Sequence, residues 1–204
     1  MSQTKGAILI LSGPSGCGKS TLLKEVYKNI NDYYFSISTT TRPIREGEKH
    51  GVDYYFVSKD EFEKDIEEGN FLEYANVHGN YYGTSLKPIM TALNEGKLVI
   101  FDIDVQGHKI VRKKLNNVIT SVFITTPSLK ELEHRLHNRS TDSADVILKR
   151  VENSKEEITH FKKYDYLIIN DNLEEASKQL VAIANVARIK SKIYEDSSVE
   201  SWLN

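Results

Sequence analysis

Apolar positions along the 204-residue chain gather into short continuous runs separated by amphipathic stretches, and the texture changes between residues 36 and 88. The runs at 7–12, 98–102, 118–125 and 166–170 are rich in β-branched or aromatic residues, and each stops at a polar or turn residue, as strands buried on both faces do. A helix-like segment follows each of them, at 20–30, 106–115, 128–139 and 173–189. Alternation of this kind predicts an α/β fold, a parallel sheet flanked by helices. Ser128 with Glu131, and Asn172 with Glu175, place a capping side chain three residues ahead of an acidic one, and Ser58 with Glu61 repeats the arrangement. Between 36 and 88, runs at 54–57 and 71–77 surround one short predicted helix at 59–68, so this segment reads as a small mixed α/β insertion. The expected division is a core of 1–35 and 89–190, the insertion 36–88, and a polar C-terminal tail 191–204. Within the core, the polar stretch 138–145 separates two charged helices and reads as a mobile loop, suited to a short helical lid over about 135–150.

Composition narrows the class. Lys plus Arg total 27 against 29 Asp plus Glu, for a formal net charge of −2, so the chain lacks the global basic field of a non-specific nucleic-acid binder. Phosphate recognition must then be local. The longest aliphatic run, 7–11, is far short of the roughly 18 residues of a membrane span and runs directly into Ser12-Gly13-Pro14, so neither a span nor a signal peptide is expected. One cysteine, Cys17, excludes an internal disulfide framework and suits a cytoplasmic protein.

The strongest chemical signal is Gly13-Pro14-Ser15-Gly16-Cys17-Gly18-Lys19-Ser20, followed by Thr21. It fits G-x-x-x-x-G-K-[ST], a loop whose backbone N–H groups wrap the phosphates of a nucleoside triphosphate. A buried strand leads in and a helix leads out, so the helix N-terminus adds its positive end while Lys19 supplies a point charge. Ser20 would offer its hydroxyl to Mg²⁺, and Asp102, at the end of the run 98–102, stands where P-loop enzymes keep a magnesium-binding carboxylate. Alone, an Asp closing a strand is as well explained by a turn.

Arg42 and Arg45, three apart beside a hydroxyl-rich run and Gly47, could grip one phosphate with two planar forks, or lie on a solvated loop. Tyr54 and Tyr82 could close around the same group, whereas Tyr81 reads as packing. Arg135, Arg139 and Arg150 flank the polar loop and could swing over a transferring phosphoryl group, although a helix bearing arginines is usually a solvated face. His134 and His137 lack partners for a metal set. Cys17, near a helix N-terminus and Lys19, occupies a setting that can lower a thiol pKa, so a reactive thiol stands beside the plainer reading of a tolerated small residue.

The phosphate loop, the Thr40-Thr41-Arg42 segment, Gly79-Asn80-Tyr81-Tyr82-Gly83 and Asp102-Ile103-Asp104-Val105-Gln106-Gly107 appear in an order that resembles guanylate kinase, over about residues 5–189. The resemblance implies a P-loop NTPase-type core with a GMP-binding insertion, and transfer of the ATP γ-phosphoryl group to GMP, and to dGMP, with Mg²⁺. It implies Lys19, Arg42, Arg135, Arg139 and Arg150 as catalytic residues, residues 13–21 with Asn170 for ATP, and Ser20 and Asp102 for the metal. For GMP it implies Ser38, Arg42, Arg45, Glu48, Tyr54, Glu73, Tyr82, Thr84 and Asp104. The family usually shows Thr-Arg-x-Pro-Arg-x-Gly-Glu; here Pro43 comes one place early and Ile44 precedes Arg45, but the arginine spacing survives. Thr84 stands where Ser is common. Two other readings stay open: a non-catalytic guanylate-kinase-like scaffold, which typically lacks an intact phosphate loop, and a P-loop kinase for another acceptor. The implied partners are small-molecule nucleotides, with no nucleic acid or membrane, and an undetermined oligomeric state.

Overall fold

Strand β1 (Ala7–Ser12) is buried along its whole length because it lies in the middle of a sheet with helices on both faces. Its side chains alternate between two hydrophobic cores. Leu9 and Leu11 pack with Leu22, Val26, Leu180 and Ala184, whereas Ile8 and Ile10 pack with Ile89, Ala92, Val99 and Phe101. Burial on both sides is why the sequence shows an unbroken apolar run rather than strict alternation. A computed structural model provides the coordinates, and the described residues are 5–77, 79–115, 118–138, 144–194, 198 and 200.

The elements after β1 are α1 (Lys19–Asn29), β2 (Tyr33–Phe35), β3 (Thr39–Thr40), β4 (Tyr55–Phe56), α2 (Lys59–Glu67), β5 (Phe71–Val77), β6 (Asn80–Ser85) and α3 (Leu86–Asn94). Then come β7 (Leu98–Asp102), α4 (Val105–Leu115), β8 (Ile119–Thr125), α5 (Leu129–His137), α6 (Ala144–Glu157), a 3-10 turn Ile158–Lys163, β9 (Tyr166–Ile169), α7 (Leu173–Ala187) and a 3-10 turn Ser191–Ile193. The main sheet has the order β2-β7-β1-β8-β9, with every neighbouring pair parallel. A parallel sheet flanked by helices is thus present as the alternation predicts. The register pairs Leu11 with Asp102, so the carboxylate ends beside the start of the phosphate loop.

A second sheet, ordered β4-β3-β6-β5, is built from the stretch whose texture differed. Its β3–β6 and β5–β6 pairs are antiparallel, and its β3–β4 pair is parallel. Phe62 of α2 packs under it, stacked on Phe71 at 4.2 Å between ring centroids and on Tyr81 at 5.1 Å. Tyr81 therefore serves packing, as expected. Lys114 of α4 ties this sheet to the core by donating to the carbonyls of Phe71 and Leu72, at 3.3 and 2.6 Å.

Candidate active site

The phosphate loop takes its path from backbone geometry only glycine tolerates. Gly13 has φ 146°, and a Cβ there would collide with the carbonyl oxygen of Ile124; Gly18 has φ 96°, and a Cβ there would collide with the side-chain amide of Asn170. Lys19 turns back over the loop, its Nζ donating to the carbonyls of Gly13 at 2.6 Å and Pro14 at 3.2 Å. Asn170 is buried at the end of β9 and donates through Nδ2 to the Cys17 carbonyl at 2.9 Å. It supports the loop from behind and also lines a cleft that Arg135 shares.

Two adjoining clefts open on this loop. One, of about 260 Å³, is lined by Ser15, Gly16, Gly18, Lys19, Ser20, Thr21 and Asp102. The other, about 320 Å³, shares Gly16, Gly18 and Thr21 and adds Arg135, Asn170, Asp171 and Leu173. Burial pushes the Asp102 carboxyl above its ordinary pKa, with Lys19 pulling the other way. One hydroxyl and one carboxylate beside a phosphate cradle suit Mg²⁺, which keeps several waters and takes few protein ligands. Among the described residues no group of three or more His, Cys, Asp and Glu side chains could hold a metal.

At Cys17 burial favours the plainer of the two readings, a small packing residue. Its side chain is fully buried, and desolvation raises its pKa despite the neighbouring Lys19. A buried, protonated thiol is a packing group and a poor nucleophile.

The arginines divide. Arg150 on α6 donates through Nη1 to Ser15 Oγ at 2.6 Å, bringing that helix onto the phosphate loop. Arg135 lies on the side of Asn170 and Asp171, its Nε donating to Glu131 Oε1 at 2.6 Å. Arg139 lies outside the described residues, as does most of the polar loop, 139–143.

On the second sheet, Arg42 is 11% exposed and pairs through Nη2 with Glu48 Oε1 at 2.7 Å, while Nη1 donates to the Pro43 carbonyl at 2.7 Å. The early proline therefore contributes its carbonyl to fixing the guanidinium. The hydrogen bond from Arg42 holds the Glu48 carboxyl below its usual range, and the backbone N–H of Arg45 donates to Glu48 Oε2 at 2.8 Å. The Arg42 guanidinium also sits over Tyr54, 5.5 Å from the ring centroid, and Tyr54 meets Tyr82 edge-on at 6.1 Å. Arg45 itself is exposed. Further along, Thr84 Oγ1 donates to Glu73 Oε1 at 2.6 Å across the β5–β6 ladder, and Ser38, half-buried, precedes β3. Asp104 has one oxygen engaged, Oδ1 accepting from the N–H groups of Gln106 and Gly107 at 3.0 and 2.7 Å at the head of α4.

Three contributors escaped the sequence reading. Glu157, half-buried at the end of α6, has its pKa raised by burial and feels Lys19 and Asp104. Asp171 and Leu173 line the second cleft. Only the position of Asp171 next to Asn170 could have suggested any of them.

Comparison with known proteins covers nearly the whole chain. The sequence model of the family described as guanylate kinase matches residues 5–186. Guanylate kinase of Sulfurimonas denitrificans is 59% identical over 203 residues, covering 99% of this chain and 98% of the relative, and that of Wolinella succinogenes is 51% identical over 203 residues, covering 99% and 94%. Among solved structures, guanylate kinase from Anaplasma phagocytophilum superposes with a TM-score of 0.73 at 31% identity, covering 99% of this chain and 97% of that one.

Proposed function

The chain belongs to the guanylate kinase family, and from that premise we propose that it transfers the γ-phosphoryl group of ATP to GMP, giving ADP and GDP, with the two nucleotides seated on the two sheets. The observation that carries the reading is the intact phosphate loop, with Lys19 over its carbonyls and Asp102 across the cleft. A non-catalytic scaffold has no use for this arrangement.

ATP lies with its phosphates on residues 13–21 and its base toward Arg135, Asn170, Asp171 and Leu173. Ser20 and Asp102 hold Mg²⁺, which supplies charge neutralisation on the phosphates when bound. The attacking oxygen belongs to the GMP phosphate, so no side chain acts as nucleophile; the protein aligns the two phosphates and neutralises charge. Lys19 exchanges the loop carbonyls it donates to for the ATP phosphates, and Arg150, already at Ser15, extends over the transferring group. Arg135 and Arg139 complete the positive lid.

The GMP phosphate is held by Arg42, Arg45, Tyr54 and Tyr82, with Glu48 locking Arg42 in place. Of the N–H donors of Arg42, one on Nη1 and one on Nη2 are committed to Pro43 and Glu48, leaving others for phosphate oxygens. Glu73 reads the base. Thr84 occupies one of its oxygens, and the other is left to accept from guanine N1–H and the N2 amine, while Ser38 and Asp104 complete the contacts. Adenine lacks that donor pair and would leave a carboxylate unanswered, a mismatch worth about 10⁴-fold in discrimination. By its family, dGMP is proposed as a second acceptor. The setting is the cytoplasm, where GMP is returned to the GTP supply.

A coupled assay of ADP formation with ATP and Mg²⁺ tests the reading, comparing GMP, AMP, CMP and UMP at one concentration. Activity confined to GMP is expected. Preference for another acceptor overturns the roles of Glu73 and Asp104, and silence with all four favours the scaffold.

A further inference from the structure

A cavity of about 920 Å³, larger than either cleft at the phosphate loop and sharing no residue with them, lies between α4 and the 3-10 turn Ile158–Lys163. Lys109, Arg112 and Lys113 reach it from α4 and Lys163 from the turn, while Glu156 is its one carboxylate. The concentration of positive charge is local, in a chain whose net charge is −2. Arg112 is already answered, donating to Asp165 Oδ1 at 2.8 Å and Ser121 Oγ at 3.0 Å. Lys163 Nζ lies 2.8 Å from His160 Nδ1 and pairs with no carboxylate among the described residues. Lys109 and Lys113 form no ion pair among the described residues.

A basic last turn is ordinary at a helix C-terminus, where it complements the dipole. That explains Lys113 but not Lys109, one turn earlier, nor Lys163 on a separate element. The groove also has a rigid back wall, because His108 and Tyr164 are buried and stacked on one another at 4.0 Å. Val105 and Ile110 add apolar surface. A single inorganic phosphate would fill little of such a volume, whereas a small organic molecule fits it.

We propose that this groove is a second ligand site, which binds a small molecule carrying a chain of phosphates on an organic group, a nucleoside polyphosphate by chemistry. Lys109, Lys113 and Lys163 take the phosphates, and Val105 and Ile110 take the organic group. The site does not rest on the catalytic reading, since none of its residues belongs to the proposed ATP or GMP contacts.

Amide NMR on the full chain separates the two regions in one titration. GTP and, separately, tripolyphosphate are added, and shifts are followed at Lys109, Ile110 and Lys163 for the groove and at Gly16 and Gly18 for the phosphate loop. Saturable groove shifts are expected with both probes, at lower concentration for GTP. The triple variant Lys109→Glu, Lys113→Glu, Lys163→Glu should weaken them on the order of tenfold while the loop shifts persist. A control triple, Lys24→Glu, Lys87→Glu, Lys130→Glu, should leave both sets intact. If charge reversal unfolds the chain, the Lys→Gln set makes the same comparison. Absence of saturable groove shifts, equal loss in both triples, or equal binding of tripolyphosphate and GTP would each overturn the proposal.

Discussion

The side-chain amide of Asn170 donates to the Cys17 carbonyl across 153 residues of sequence, and the same group crowds Gly18. One buried residue of β9's end thus fixes the curvature of a loop encoded near the N-terminus. Replacing it with Ala leaves a buried carbonyl unpaired, at a cost of about 1–3 kcal/mol. Asn170→Ala is therefore expected to lower Tm and to raise the KM for ATP more than that for GMP; unchanged KM values would limit Asn170 to a structural role. At this scale the sequence was legible where chemistry is contiguous. Residues 13–21 announce a phosphate cradle because the loop needs its glycines and lysine in one order. Glu48 and Glu73 were named only through a family pattern: Glu48 serves by holding Arg42, and the partnership of Glu73 with Thr84 is made by strand pairing. Glu157 was invisible, because a glutamate ending a charged helix looks solvated until the fold covers it.

Helix caps were the most readable elements. Ser58 and Glu61 form the reciprocal box at the start of α2, with Ser58 Oγ accepting from the Glu61 N–H at 3.2 Å and Glu61 Oε2 from the Ser58 N–H at 2.8 Å. Ser58→Ala is expected to cost about 1 kcal/mol, read as a drop in urea midpoint at unchanged m. At α5 only half of the predicted box forms: Ser128 caps the N–H of Glu131, but the Glu131 carboxylate goes to Arg135 instead. An arginine one turn along offers a charged partner, and the backbone N–H loses the competition. Strands β2, β3 and β6 and helix α3 were not predicted as elements. β2 and β3 are too short to show a period, and β6 is written in tyrosine, glycine and threonine rather than in aliphatics. Helix α3 runs across the expected boundary at Pro88, because proline in a first helical turn removes an N–H that has no partner there anyway.

Across the whole molecule, the glycine-rich loop belongs to the parallel sheet and the Glu73–Thr84 pair to the antiparallel one, with Arg150 reaching in from α6. Two polyanions can be aligned away from water only if these parts close on each other. Small-angle scattering should show a smaller radius of gyration with ATP analogue and GMP together than with either alone; no compaction with both would argue against closure. The alternation of buried runs and amphipathic helices, the glycine-rich loop and the caps were determined by the sequence alone, since each depends on residues near in the chain. Tertiary structure decided the rest. Leu11 opposite Asp102, Asn170 behind Cys17, Glu73 across from Thr84 and the lysines of α4 facing Lys163 are all meetings of distant segments, and such meetings follow from strand register and packing, which no local pattern encodes.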